Sequence, residues 1–296
     1  MMHEKTDGGE NKSIFYKRNI DHWHGASKQG IPWEIYRGNA TKVLEKLSQD
    51  NHHKFNCVIT SPPYYWLRDY GVEGQIGHEE TIDGYVNAIV TVMDGLWDIM
   101  TDDGVLFLNI GDTYYSGKGK SHGTDPKSGA RRFGLRAVDA SGLGVPRKTT
   151  IGIPWRVALE MISRGWVLRS PIIWVKEKCL PESVKDRPRR KYETIFMFVK
   201  DRHYYFNRAA IKGEEDVWHI PDKPNPISRG KHTAAFPDKL VKRCLDIGCP
   251  ENGLVLDPFA GSGTTIRIAV ESGRPATGID LSNEYCEFMV ECLKEL

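Results

Sequence analysis

Short β-branched runs alternate along this chain with longer amphipathic stretches, and that alternation limits the fold more than any other feature. It implies an α/β architecture, a mostly parallel sheet with helices on both faces. Seven strands are expected, at Trp33–Arg37, Asn56–Thr60, Val105–Ile110, Ser170–Lys176, Thr194–Val199, Leu254–Leu256 and Ala276–Ile279. Helices are expected at Ala40–Ser48, Ile82–Met100, Pro154–Arg164, Pro237–Gly248, Thr264–Ser272 and Asn283–Leu296. Asp83 is a candidate cap for the second helix, and Pro154 suits a first helical turn. A chain of 296 residues accommodates one large α/β domain with insertions, or two small ones. Residues 1–30 are polar and lack periodicity, which reads as a flexible extension ahead of a domain spanning 31–296.

Two stretches break the rhythm. Residues 114–150 carry Lys118, Lys120, Lys127, Arg131, Arg132, Arg136, Arg147 and Lys148 against Asp125 and Asp139. Residues 177–190 carry Lys185, Arg187, Arg189 and Arg190 among prolines, with Lys191 just beyond. The net charge of the whole chain is only +2, so any nucleic-acid surface has to be local. Two readings stay open for both stretches: a solvated surface, or contacts to phosphates. The six cysteines form no CxxC pair and no zinc-spaced cluster with histidine, so reduced thiols and no bound metal are expected. No apolar run reaches the ~18 residues of a membrane span, and no signal peptide is apparent. An intracellular site of action is expected: cytoplasm or nucleoid in a bacterium or phage host, the nucleus in a eukaryote.

Thr60-Ser61-Pro62-Pro63-Tyr64 ends the second strand, where ligands sit in open α/β sheets. The double proline holds the backbone extended and removes two N–H donors, leaving a rigid row of carbonyl acceptors. Ser61 adds a hydroxyl and Tyr64 a flat aromatic face. Two acceptors on an exocyclic amino group draw its nitrogen toward tetrahedral geometry and stabilise the positive charge that grows as a methyl group arrives. Tyr64 can stack on a base that has left its duplex. The other reading is a proline turn that only ends a strand.

Gly253-Leu254-Val255-Leu256-Asp257-Pro258-Phe259-Ala260-Gly261-Ser262-Gly263-Thr264-Thr265 reads as strand, glycine turn and helix. Gly261 and Gly263 permit close backbone approach to a ligand, without dinucleotide spacing or a P-loop lysine. Asp280 ends the next strand, where an acid can bind both ribose hydroxyls. A nucleoside site and a purely structural turn both remain open on these residues alone.

Taken together, these motifs resemble the DNA amino-methyltransferases, which move a methyl group from S-adenosylmethionine to cytosine N4 or adenine N6. With the catalytic motif ahead of the cofactor motif, the chain resembles their permuted β class. The resemblance covers roughly residues 31–296. It includes Arg68-Asp69-Tyr70-Gly71, Gly74-Gln75-Ile76-Gly77, Gly104 to Asp112, Gly165 to Lys176, Pro181 to Pro188, Tyr192-Glu193 and His232 to Leu240. It implies a Rossmann-like methyltransferase fold, with a target-recognition segment at about 177–232. Ser61, Pro62, Pro63 and Tyr64 are implied as catalytic. Asn39, Thr60, His232, Phe236, Asp257, Pro258, Phe259, Ala260, Gly261, Gly263, Thr264, Thr265, Asp280, Leu281 and Ser282 are implied at the cofactor. Serine at position 61 is similar to the N4-cytosine enzymes, whereas N6-adenine enzymes usually carry aspartate there. The chain departs from the family at Asn39, where an aspartate is common, and at Tyr192, where many members have histidine. The implied partner is double-stranded DNA, bound by a monomer or homodimer. Methylation of adenine N6, a catalytically inactive DNA-binding relative, and a small-molecule or RNA methyltransferase are the alternatives.

Overall fold

The computed structural model describes residues 20–50, 54–119, 137–176, 185–211, 213, 215–221 and 237–296. Its strands are β1 (Asp21–Ala26), β2 (Pro32–Arg37), β3 (Phe55–Thr60), β4 (Met100–Ile110), β5 (Val167–Val175), β6 (Tyr192–Val199), β7 (Val217–His219), β8 (Val255–Asp257) and β9 (Ala276–Asp280). Its α-helices are α1 (Ala40–Asp50), α2 (Ile82–Gly95), α3 (Ile153–Ser163), α4 (Asp238–Gly248), α5 (Thr264–Glu271) and α6 (Asn283–Glu295).

Among the described residues the strands form one nine-stranded sheet in the order β1-β2-β9-β8-β3-β4-β6-β5-β7. The block from β2 through β9, β8 and β3 to β4 is parallel. β1 and β6 run against their neighbours. The expected seven strands are all present, and β1 and β7 are added to them. The sheet is therefore larger and more mixed than expected.

Alternation of side chains across the pleat builds two apolar layers. Val58, Leu106, Leu108, Ile110, Phe196 and Phe198 face the layer formed with α1, α2 and α3. Cys57, Ile59, Val105, Phe107, Ile195, Met197 and Val199 face the layer formed with α4, α5 and α6. Strands buried on both faces read as continuous hydrophobic runs, which is why β3, β4 and β6 stand out in the sequence.

Some boundaries differ from expectation. Asp21–Ala26 is a strand paired with β2, so the polar extension does not run to residue 30. Its side chains are only partly covered, and the alternating His-Trp-His pattern has few apolar residues to signal a strand. α2 stops at Gly95 rather than at Met100, because β4 already begins there. Thr81, not Asp83, caps α2: its side chain accepts the Gly84 amide at 3.0 Å. The segment expected for target recognition contains β6, which was expected, and the short β7, which was not.

Candidate functional site

β3 connects onward to β4 on one side of the sheet, while β8 connects onward to β9 on the other. The crevice between β3 and β8 is thus the point where chain direction across the sheet reverses, the usual ligand site of an open α/β sheet. Both sequence motifs leave their strands at this place. The Thr60 hydroxyl donates to Asp257 Oδ1 at 2.7 Å, joining residues 197 apart in the chain.

On the β8–β9 side, Asp257 also accepts the Phe259 amide at 3.0 Å. Burial raises its carboxyl to about 6. Gly261 N–H donates to Asp280 Oδ2 and Ser282 N–H to Asp280 Oδ1, both at 2.8 Å. Burial raises Asp280 to about 6 as well, offset in part by those amides. Gly263 has φ +79°, and a Cβ there would lie 2.5 Å from Met289 Cγ. This turn therefore needs glycine for conformation and for space. Ala260 N–H donates to Ile279 O at 2.9 Å, Pro258 and Thr264 are buried, and Thr265 reaches Ile59 O at 3.5 Å. Leu281 follows Asp280 at the same strand end. Asn39 caps α1, its side-chain oxygen accepting the Lys42 amide at 3.4 Å. Gly38 N–H donates to Asp280 O at 2.9 Å, which brings Asn39 to the same edge. His232 and Phe236 lie outside the described residues.

On the β3–β4 side, the row of carbonyls is partly used. Pro63 O accepts the Tyr85 hydroxyl at 2.8 Å, whereas Pro62 O has no hydrogen-bond partner among the described residues. Asn109, near the end of β4, is 3% exposed and donates from Nδ2 to Tyr64 Oη at 3.0 Å, to Glu193 Oε2 at 2.9 Å and to Ser61 Oγ at 3.5 Å. The Tyr64 hydroxyl donates to Glu193 Oε2 at 2.8 Å, and Ser61 lies 3.4 Å from that hydroxyl. Lys176 pairs with the other oxygen of Glu193. Burial and the Glu193 charge hold the Tyr64 phenol well above its ordinary pKa. Asn109 was not singled out in the sequence. Glu193 was noticed there without a role; its place at the start of β6, antiparallel to β4, supplies one.

The basic stretches meet beside this site. Gly111 and Asp112 follow β4, and the Asp112 carboxylate accepts the amides of Thr113 (2.8 Å), Gly152 (3.1 Å) and Ile153 (3.0 Å), capping α3. The Arg187 guanidinium lies 3.9 Å from the Tyr114 ring centroid and that of Arg190 5.1 Å. Arg190 also donates to Asp112 O at 2.5 Å, and Lys148 pairs with Asp186 at 2.6 Å. Lys118, Lys185, Arg189 and Lys191 are exposed. Lys120, Arg131 and Arg132 lie outside the described residues.

The Ser61–Tyr64 strand end and the Asp257–Asp280 strand ends thus lie side by side and are joined through Thr60. Residues 55–291 match the family model N6_N4_Mtase, described as DNA methylase. The chain belongs to this family. It is a DNA methyltransferase. Among its curated relatives, the type II methyltransferase M.Cfr9I of Citrobacter freundii is 39% identical, over 88% of this chain and 87% of its own length. The type II methyltransferase M.SmaI of Serratia marcescens is also 39% identical, over 87% and 89%. Among solved structures, the cytosine-N4-specific PvuII DNA methyltransferase shares the methylase fold, with a TM-score of 0.67 at 19% identity, covering 88% of this chain and 86% of that one. A complex of M1.HpyAVI with SAM superposes with a TM-score of 0.57 at 20% identity, covering 88% and 98%.

Proposed function

We propose that this methyltransferase transfers a methyl group to N4 of a cytosine extruded from double-stranded DNA. The observation that carries this is Ser61 at the end of β3, its hydroxyl set among Tyr64, Asn109 and Glu193 next to the crevice between β3 and β8. The Ser61 hydroxyl is directed at Tyr64 Oη and accepts weakly from Asn109 Nδ2, which leaves one lone pair for an incoming amino group. Asn109 holds that arrangement in a buried setting where a misdirected hydroxyl is costly.

S-adenosylmethionine is the methyl donor, supplying an electrophilic methyl on a sulfonium sulfur. The donor set suits it. Asp280 has both oxygens fixed by backbone amides, with lone pairs left for two ribose hydroxyls. Gly261 and Gly263 give close backbone, and Asp257 braces the turn through Thr60. Asn39, Phe259, Leu281 and Ser282 belong to the same edge, and His232 and Phe236 are assigned to the cofactor from the sequence alone. Ser61 and Pro62 orient the amino group and oppose its growing positive charge. The Tyr64 ring offers a stacking surface to the base. Lys118, Lys185, Arg187, Arg189, Arg190 and Lys191 supply phosphate contacts, and Lys120, Arg131 and Arg132 are assigned the same role from their charge alone.

Serine at position 61 supports cytosine rather than adenine, and the PvuII enzyme acts on the same atom. The test is methylation of a mixed DNA library by the purified chain, followed by nucleoside mass spectrometry. N4-methylcytosine is expected; N6-methyladenine as the product overturns the choice of base.

A further inference from the structure

Methyl transfer to an exocyclic amino group creates a cation, and the neutral product requires one N–H proton to leave. Pro62 O can orient that group but cannot pass a proton onward. Ser61 can, provided that its own proton has somewhere to go. The hydrogen bonds around it have a single sense. Tyr64 Oη accepts from Asn109 Nδ2 at 3.0 Å and from Ser61 at 3.4 Å, which commits the phenol proton to Glu193 Oε2 at 2.8 Å. Glu193 is a carboxylate ion-paired through its other oxygen with Lys176. Its side chain is 16% exposed, so it can exchange with solvent after turnover.

We propose that Glu193 is the terminal acceptor of the proton lost from the substrate amino group, reached through the hydroxyls of Ser61 and Tyr64. The N–H bond breaks and its electron pair stays on nitrogen, balancing the new C–N bond. An O–H bond forms on Ser61 as its original proton passes to Tyr64 Oη. The original Tyr64 proton passes to Glu193 Oε2. Ser61 and Tyr64 end unchanged, and Glu193 ends as a carboxylic acid. The proton begins to leave as the methyl arrives, which spares the nitrogen a full positive charge. The Tyr64 phenol does not ionise in such a setting, so it gives one proton only as it receives another. Asn109, an amide that cannot accept the proton, fixes the three oxygens from one nitrogen. The Ser61–Tyr64 separation is long for a transfer step, and such contacts commonly tighten when substrate binds.

This inference rests on the reading above only in requiring an exocyclic amino group as methyl acceptor; cytosine and adenine serve equally. The experiment measures single-turnover methyl transfer at saturating S-adenosylmethionine and duplex DNA, for the wild type, Tyr64→Phe, Glu193→Gln and the double variant. Tyr64→Phe keeps the stacking ring and removes one oxygen. Glu193→Gln keeps the shape and removes the acceptor. Each single variant should slow transfer by ~10²-fold or more, the usual scale for losing acid–base assistance. The double variant should be no slower than the worse single one, because both interrupt one path. Affinities for S-adenosylmethionine and DNA should stay within about twofold, and the rate ratio between H2O and D2O should shrink in the variants. A Tyr64→Phe rate within about threefold of wild type, or losses that multiply, overturns the relay. Nucleoside analysis of the wild-type product decides the target base separately, so an adenine product corrects that choice and leaves the relay comparison intact.

Discussion

Replacing Gly111 by alanine tests how tightly the amino-group site is held. A Cβ there would lie 2.4 Å from Tyr64 Cε2 and 2.9 Å from Cδ2. Carbon atoms rest at ~3.5–4.0 Å, so the ring must retreat by about 1 Å. Its hydroxyl is held 2.8 Å from Glu193 and 3.0 Å from Asn109. A retreat of that size carries both contacts beyond useful hydrogen-bond range. Overpacking of this kind costs about 1–3 kcal/mol, which is a loss of several degrees in Tm for a chain of this size. The rate should fall by ~10²-fold, the scale for a 1 Å misplacement at a reacting centre. Differential scanning fluorimetry reads the first quantity and single-turnover methylation the second, with S-adenosylmethionine affinity as a control that stays unchanged. In a Tyr64→Ala background the added methyl has room, so Gly111→Ala should cost almost nothing further. A wild-type rate in Gly111→Ala alone would refute the claim that Tyr64 is pinned by this contact.

Asp280 titrates near 6 and must be ionised to accept ribose hydroxyls, so S-adenosylmethionine affinity should be full above pH 7 and fall as pH drops through 6. Calorimetry across that window checks it, and Asp280→Asn should bind weakly with a flatter pH response. The folding term has the opposite sign. A carboxyl raised above its unfolded value of ~3.9 contributes stability below that pH and loses it as pH rises through 6, so Asp280→Asn should flatten the stability profile between pH 4 and 6. Asp112→Ala leaves the amides of Gly152 and Ile153 at the start of α3 without their acceptor and should cost about 1–2 kcal/mol in urea unfolding; an unchanged midpoint would dismiss the cap. Neutralising Arg131 and Arg132 should weaken binding to all DNA sequences alike and lower the salt slope by about one unit per lost phosphate contact, whereas an unchanged slope marks that stretch as solvated surface.

The central strands were legible because burial on both faces removes polar alternation, as in Val105–Ile110. β1 was not, because His22 and His24 face outward and Gly25 adds no apolar signal. β7 has only three residues, too short for a period to appear. Both strand-end motifs were legible because proline pairs and glycine turns are local chemistry. The Asn109–Glu193 bond was not, since it joins residues 84 apart through an antiparallel pairing that no local pattern announces. Nor does any local pattern announce that Tyr85, from the neighbouring helix α2, occupies the Pro63 carbonyl.

The position of β8 between β3 and β9 bears on how the protein is made. Ribosomes deliver β3 early, yet one of its two hydrogen-bonding neighbours is translated about two hundred residues later. Until then Val58 and Ile59 lie in a strand with an open edge, a state that invites wrong pairing and slows folding. The Thr60–Asp257 bond forms among the last contacts, so both half-sites are joined only once the C-terminal strands have been synthesised. A nascent chain cut before residue 255 therefore carries every group of the amino-group site and still lacks the turn that would hold the donor. Unfinished copies of this enzyme are expected to leave the genome unmarked, and to be handled by the cell as clients of chaperones and proteases.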